Sequence, residues 1–126
     1  MRIRIENASP VPPFEQIRAQ ISLMVSAGQL RPGDRLPTIR SLAYTLSVAS
    51  GTIARAYREL EYAGIVVKRG RAGTFVADEP PVAYEVVDRR ERLEAAAERF
   101  VLEADHLGVD AATALTAVTE ALASLN

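Results

Sequence analysis

The chain has 126 residues, with 15 Lys+Arg, 16 Asp+Glu, 48% hydrophobic residues and no cysteine. This length corresponds to one domain, or to a small domain with an appendage, and the composition excludes a collagen-like or fully disordered chain. Disulfides and thiol chemistry are excluded, and no apolar run reaches the ~18 residues of a membrane span, so we expect a cytoplasmic protein without membrane contact.

The charge is unevenly distributed along the chain. Residues 1–78 carry 11 Lys+Arg and 6 Asp+Glu, a net charge of +5, whereas residues 79–126 carry 4 and 10, a net charge of −6. A basic segment beside an acidic one predicts that the first binds a polyanion and that the second has another role. The sign changes at Asp78-Glu-Pro-Pro81, which breaks regular structure. We therefore predict a domain at 1–78, a linker at 79–87 and a second domain at 88–126.

The amino-terminal segment predicts a short strand followed by a helix. Arg2-Ile-Arg-Ile5 alternates as an edge strand does, and its two arginines would protect the edge from pairing. Proline is tolerated in a first helical turn, so a helix begins near Pro12 or Pro13, and Gly28 ends it in the left-handed conformation. The apolar face of this helix consists of Phe14, Ile17, Ile21, Met24 and Val25.

The next segment predicts a helix-turn-helix. Pro32-Gly33 favours a type II turn, and Thr38 is a good N-cap for a short second helix. A three-residue connection then leads to a third helix that begins near Ser50 and stops at Gly64. The inward residues are Leu42, Ala43 and Leu46 in the second helix and Ile53, Ala56, Tyr57 and Leu60 in the third.

A β-hairpin follows the third helix directly. Ile65–Lys68 and Thr74–Ala77 are rich in β-branched residues, and five residues with two glycines join them. A hairpin in this position is called a wing. Lys68, Arg69 and Arg71 lie at or near its tip.

The acidic tail predicts a helical hairpin. Asp88-Arg-Arg-Glu91 is a capping-box pattern, Gly108 ends the helix that it opens, and Asp110 caps a last helix. The apolar residues either pack the two helices on each other or pack them on a second chain. A helical hairpin this short buries little alone, which favours self-association. The predicted dimer interface consists of Leu93, Ala97, Phe100, Ala104, Leu107, Leu115 and Leu122, with Val118 and Leu125 on the same face of the last helix.

Five motifs, in this order and spacing, resemble the winged helix-turn-helix domain of GntR-family bacterial transcription regulators. They are Pro13-Phe-Glu-Gln-Ile17, Gly28-x-Leu-x-Pro-Gly-Asp-x-Leu-Pro37, Arg40-x-Leu-Ala43, Thr52-Ile-x-Arg-Ala-Tyr57-x-x-Leu60 and Gly73-Thr-Phe-Val76. The short two-helix tail is similar to that of the YtrA-type subfamily. The expected fold class is thus mainly α with a small β-hairpin: a winged helix-turn-helix domain followed by a C-terminal helical hairpin used for dimerisation.

The resemblance implies roles for three elements. The helix that opens at Ser50 is the recognition helix in the major groove, Arg40 contacts DNA from the start of the second helix, and the Gly70–Gly73 turn enters the minor groove. The family often has Ser-Arg-Asn-Thr where this chain has Ala49-Ser-Gly-Thr52. The basic residue that usually contacts bases from this position is therefore missing at position 50. Phe14 replaces a more common Tyr, and Thr38 a more common Ser.

Duplex DNA carries closely spaced phosphates with condensed counterions. Binding through Lys and Arg is favourable because each contact with a phosphate releases counterions. Small residues at the start of the recognition helix allow close approach to the bases, and the arginines must then supply much of the discrimination. Arg58 could instead pair with Glu61. The predicted DNA-binding residues are Arg35, Thr38, Arg40, Ser50, Gly51, Thr52, Arg55, Arg58, Arg69, Gly70, Arg71 and Gly73.

We expect a sequence-specific DNA-binding transcriptional regulator, a repressor, that binds a palindromic operator as a homodimer. No catalytic triad or P-loop is recognisable, so we expect no enzyme, no cofactor and no metal.

Two alternatives stay open. One is an adaptor whose tail docks a different protein, and the other is a sensor whose tail binds a small-molecule effector or a metal through His106 and the nearby acids Glu103, Asp105 and Asp110.

Overall fold

Five α-helices and one two-stranded hairpin make up the described part of the chain, residues 1–81 and 89–125 of a computed structural model. The chain divides into two units, Met1–Val87 and Asp88–Asn126. The expected fold class, mainly α with a small β-hairpin, is confirmed. The first unit contains α1 (Pro13–Ser26), α2 (Ile39–Leu46), α3 (Ser50–Tyr62), β1 (Val66–Lys68) and β2 (Thr74–Val76), and the second contains α4 (Arg89–His106) and α5 (Ala111–Ser124).

Helix α1 begins and ends where its prolines and glycine predict. Pro12 is the N-cap and Pro13 the first helical residue, where a missing N–H costs no helical hydrogen bond. Gly28 follows the C-cap with φ of 78°, and the next amide, of Gln29, donates to Met24 O at 2.9 Å. This left-handed end satisfies a terminal carbonyl that would otherwise lack a partner.

The predicted edge strand at Arg2–Ile5 is wrong, because residues 1–6 belong to no sheet. Their backbone partners are two glutamine side chains of α1. The Gln20 side-chain amide accepts from Arg4 N at 3.0 Å and donates to Arg4 O at 2.7 Å. The Gln16 side-chain amide likewise accepts from Glu6 N at 2.8 Å and donates to Glu6 O at 3.1 Å. These amides supply the donor and acceptor that a neighbouring strand would supply. The arginines of this segment therefore protect no sheet edge.

The helix-turn-helix is formed as predicted, with an unusual turn residue. The Thr38 hydroxyl accepts from Ser41 N at 3.0 Å and so caps α2. The C-cap of α2 is Ser47, which has φ of 55°, and Val48 N then donates to Ala43 O at 3.0 Å. Most helices that end this way have glycine at the left-handed position. The chain turns here within three residues into α3.

Helix α3 is held by one apolar face and by one partly buried hydrogen bond. Ile53, Ala56, Tyr57 and Leu60 are all buried, and α3 packs on α1 around Ile17 and Ile21. The Tyr57 hydroxyl donates to Pro37 O at 2.7 Å, which ties α3 to the residue before the α2 cap. Burial raises the pKa of Tyr57 far above its ordinary value, so the hydroxyl keeps its proton.

The predicted hairpin is confirmed and gains a third segment. Strands β1 and β2 pair antiparallel, with Val66 opposite Val76, and a 3₁₀ turn at Gly70–Ala72 joins them. The loop before α2 pairs with the outer side of β2: Leu36 N donates to Thr74 O, and Val76 N donates to Asp34 O, both at 2.8 Å. The Pro32-Gly33 turn also forms as predicted, with φ of 85° at Gly33.

The second unit contains the predicted pair of helices. Gly108 ends α4 with φ of 73°, and the Asp110 carboxylate caps α5 by accepting from Thr113 N at 2.8 Å. Hydrogen bonds from Thr113 lower the pKa of Asp110. The capping box at Asp88 and residues 82–87 of the predicted linker lie outside the described residues.

We expect Tyr57→Phe to lower the free energy of unfolding by about 1–2 kcal/mol, because it removes the hydrogen bond to Pro37 O and leaves this carbonyl without its donor. Urea unfolding monitored by circular dichroism measures the change. Tyr44→Phe is the matched control, since the Tyr44 side chain is 89% exposed and its loss of a hydroxyl should change nothing. Equal stability of both variants and the parent would contradict the anchoring role.

Candidate nucleic-acid interface

The exposed side of α3 carries a stripe at helical spacing, which we call the outer stripe: Gly51, Arg55, Arg58 and Tyr62. All four residues are exposed, and the residues of the buried face alternate with them along the helix. Tyr62, with its side chain 83% exposed, was not predicted as a site residue. Its spacing of four from Arg58 was the available signal.

Arg55 is held by an aromatic ring of another helix. Its guanidinium carbon lies 3.7 Å from the centroid of the Phe14 ring, at the start of α1. This distance corresponds to a cation–π stack. Arg58 is exposed and forms no ion pair with any described residue, so the alternative pairing with Glu61 is not observed.

The starts of α2 and α3 carry the other predicted helix residues. The hydroxyl of Thr38 is engaged as the α2 cap, while Arg40 in the first turn is exposed. Ser50 and Gly51 are exposed at the start of α3, and Thr52 is half-buried. The α3 N-cap, Ala49, has no side chain that could accept a hydrogen bond, so small groups and backbone N–H donors form this end of the helix.

The wing brings together residues from two distant parts of the sequence. Gly73 has φ of 111°, and a Cβ at this position would lie 3.1 Å from Nε of Arg35. Arg35 thus occupies the space that the missing side chain leaves free. Arg69 lies 4.9 Å above the Phe75 ring centroid and 3.8 Å from the exposed Asp78 carboxylate. Arg71 is exposed in the 3₁₀ turn, which begins at Gly70.

The apolar residues of the second unit separate into two groups. Phe100, Ala104 and Leu107 line a groove of about 200 Å³, together with Ala114 and Ala117 of α5. The other predicted interface residues, Leu93, Ala97, Leu115 and Leu122, do not line the groove and are exposed. The α5 residues that line the groove are therefore small, Thr113, Ala114 and Ala117, while Leu115 and Leu122 are left exposed.

Among residues 1–81 and 89–125, no group of three or more His, Cys, Asp or Glu side chains could hold a metal ion. None of the helices in the same ranges has the length and apolar character that a membrane span requires.

A capped helix, a tight turn, a second helix with one exposed face and a basic hairpin define a winged helix-turn-helix DNA-binding protein. Residues 13–76 match the family described as "Bacterial regulatory proteins, gntR family". The chain belongs to this family and is a DNA-binding transcriptional regulator, as the sequence motifs indicated.

Relatives of the chain extend over nearly its whole length. It is 43% identical over 117 residues to the HTH-type transcriptional regulator Rv1152 of Mycobacterium tuberculosis, covering 93% of this chain and 91% of that protein. It is 31% identical over 109 residues to the HTH-type transcriptional repressor YtrA of Bacillus subtilis, covering 86% and 82%. These relatives are transcriptional regulators, and the resemblance to YtrA-type proteins is confirmed.

Solved structures share the fold. YtrA from Sulfolobus acidocaldarius, a GntR-family transcription factor, superposes with a TM-score of 0.59 at 33% identity, covering 79% of this chain and 97% of that one. The DNA-binding domain of AraR, solved in complex with operator ORX1, superposes with a TM-score of 0.54 at 25% identity, covering 61% and 96%.

We expect Gly73→Ala to lower the free energy of unfolding by about 2–3 kcal/mol, because the new Cβ must displace Arg35 and the residue must adopt a strained φ. Gly70→Ala is the control: its φ of 54° is also positive, but a Cβ there meets nothing within 4 Å. Its cost should stay at about 1 kcal/mol. Thermal unfolding of both variants gives the comparison, and an equal loss would show that Arg35 does not depend on the space at Gly73.

Proposed function

We propose that this chain binds a palindromic operator as a homodimer and represses transcription from it. In this proposal α3 enters the major groove and the wing enters the minor groove. The observation that carries it is the outer stripe of α3, on which Arg55 and Arg58 are exposed while the opposite face of the helix is buried in the core.

The start of α3 suits close contact with base edges. Ser50, Gly51 and Thr52 are small, so the helix backbone can approach the bases, and Thr52 offers a hydroxyl or a methyl group. The arginines beyond them provide the stronger contacts. A bidentate contact of Arg40 with guanine would contribute about 1–3 kcal/mol of discrimination, and Arg55 would contact a phosphate.

The wing supplies a second set of cations. Arg69 and Arg71 flank Gly70, and the turn that they form is narrow because glycines stand at both of its ends, Gly70 and Gly73. A narrow basic turn fits the minor groove, where arginine is attracted by the enhanced negative potential. Arg35, packed beside Gly73, would add a phosphate contact at the base of the wing.

The second unit supports the homodimer. Leu115 and Leu122 of α5 are 68% and 59% exposed, and uncovered leucines on a helix favour burial against a partner. A twin chain provides the same surface and so a self-complementary interface. Dimerisation would place two recognition helices about 34 Å apart, one turn of DNA, as a palindromic site requires. We assign DNA binding to residues 1–78, a linker to 79–87 and dimerisation to 88–126.

Repression is supported by a named relative. YtrA of Bacillus subtilis, at 31% identity, is a transcriptional repressor. A dimer of this size on a promoter can block polymerase by occupancy alone. In vitro transcription from the promoter next to the bound site tests this step: output should fall when the protein is added, and a rise would contradict repression.

We expect Arg40→Ala and Arg55→Ala to weaken operator binding about tenfold each, because each removes a charge-assisted contact with DNA. The operator is first selected from a random duplex pool with the parent protein, and dissociation constants are then measured over a range of salt concentrations. Each variant should also reduce the slope of log K against log salt by about 1.

Arg99→Ala, an equal loss of charge in the second unit, is the control and should bind as the parent does. Parent-like affinity of both Arg40→Ala and Arg55→Ala would show that the DNA-binding face is wrong. A parent protein that selects no duplex would overturn the proposed function itself.

We expect Leu122→Glu to convert the dimer into a monomer, because a twofold interface would bury the new charge twice without a partner. Light scattering of the purified protein measures the mass. Leu102→Glu is the matched control. Leu102 is 56% exposed, a fraction similar to the 59% of Leu122, but it lies off the predicted interface. The account of the dimer fails if Leu122→Glu remains dimeric, or if Leu102→Glu is the variant that dissociates.

A further inference from the structure

The contact between Phe14 and Arg55 joins the start of α1 to the outer stripe of α3. We propose that Phe14 is a positioning residue that orders the Arg55 guanidinium for contact with a DNA phosphate. The proposal rests on the proposed function and adds to it a residue that does not itself bind DNA. The sequence offers no sign of it, because the two residues are distant in the chain and meet only through the packing of α1 on α3.

The geometry leaves the hydrogen-bonding edge of Arg55 available. A guanidinium is planar, with its five N–H donors in the plane, and its faces are weakly hydrated. At 3.7 Å from the ring centroid, Arg55 uses a face against Phe14. The N–H donors at its edges are not engaged by this stack, and no described residue forms an ion pair with Arg55. The side chain is therefore ordered without being neutralised.

Ordering before binding favours association. A free arginine side chain samples many rotamers and loses this freedom when it contacts a phosphate. The Phe14 ring restricts Arg55 in the free protein, so that less entropy is lost when DNA arrives. Phe14 should therefore affect operator affinity through Arg55 alone.

The burial of Phe14 agrees with this role. Phe14 is only half-buried, and it is absent from the cluster of buried residues to which Ile17, Ile21 and Ile53 belong. The second phenylalanine of the first unit, Phe75, also lies against an arginine, with Arg69 at 4.9 Å from its ring centroid. Arg69, however, also lies 3.8 Å from the Asp78 carboxylate. Arg55 forms no ion pair with any residue that the structure describes, so its charge is available to an anion from outside the chain.

A double-mutant cycle on the selected operator tests the proposal. Phe14→Leu should weaken binding about three- to fivefold, the range expected for loss of a partly exposed cation–π stack. Phe14→Tyr keeps the ring face and should retain parent affinity within about twofold. Arg55→Gln should weaken binding about tenfold, and adding Phe14→Leu to it should cause no further loss, because the arginine that the ring orders is gone.

Arg55→Lys provides a second measurement at an exposed position, where folding is not at risk. Lysine keeps the charge but cannot stack as a plane, so this variant should bind less tightly than the parent while the salt slope stays unchanged. Circular dichroism checks that each variant is folded at the temperature of the binding measurement.

Two results would overturn the proposal while the parent still binds its operator. One is parent-like affinity of Phe14→Leu or of Arg55→Lys. The other is a loss caused by Phe14→Leu that persists in full in the Arg55→Gln background, which would make Phe14 a structural residue only. Failure of the parent to select any duplex would instead contradict the proposed function.

Discussion

The burial of one face of α3 determines what the other face can do. Ile53 and Leu60 are fully buried with Ile17 and Ile21 of α1, so the helix cannot rotate without exposing them to water. With 3.6 residues per turn, this fixed orientation directs the outer stripe to solvent. The Tyr57 hydroxyl bond to Pro37 then fixes α3 relative to the start of α2. The surface proposed for DNA therefore follows from the packing of α1 on α3.

Two basic residues of the first unit, Arg55 and Arg35, are held in place by other elements. Arg55 lies on a ring of α1, and Arg35 lies in the space above Gly73. The loop that carries Arg35 pairs with β2 and is anchored by the buried Leu36. A loop fixed in this way connects the helix-turn-helix to the wing, so both can meet one duplex together. Positions set by packing before binding reduce the entropy lost on association.

The sequence predicts the local features well, because local forces decide them. Proline and glycine mark both ends of α1, and Thr38 and Asp110 cap their helices as expected. The prediction of an N-terminal strand is wrong because alternating polar and apolar residues indicate only an extended chain. Here the side chains of Gln16 and Gln20 replace a partner strand. The contacts of Arg55 with Phe14 and of Arg35 with Gly73 depend on tertiary packing, which no local pattern reveals. In α5 only Glu120 is charged, so periodicity cannot tell which apolar face meets α4. The roles of the predicted site residues in binding DNA stay predictions.

Hydrogen–deuterium exchange with and without the selected operator duplex tests the central claim most directly, because it maps the bound surface on the whole chain. The account predicts slower exchange at residues 35–41, 50–58 and 69–73 when the duplex is present, with α5 unchanged. Slower exchange confined to the second unit, with the start of α3 unaffected, would contradict it.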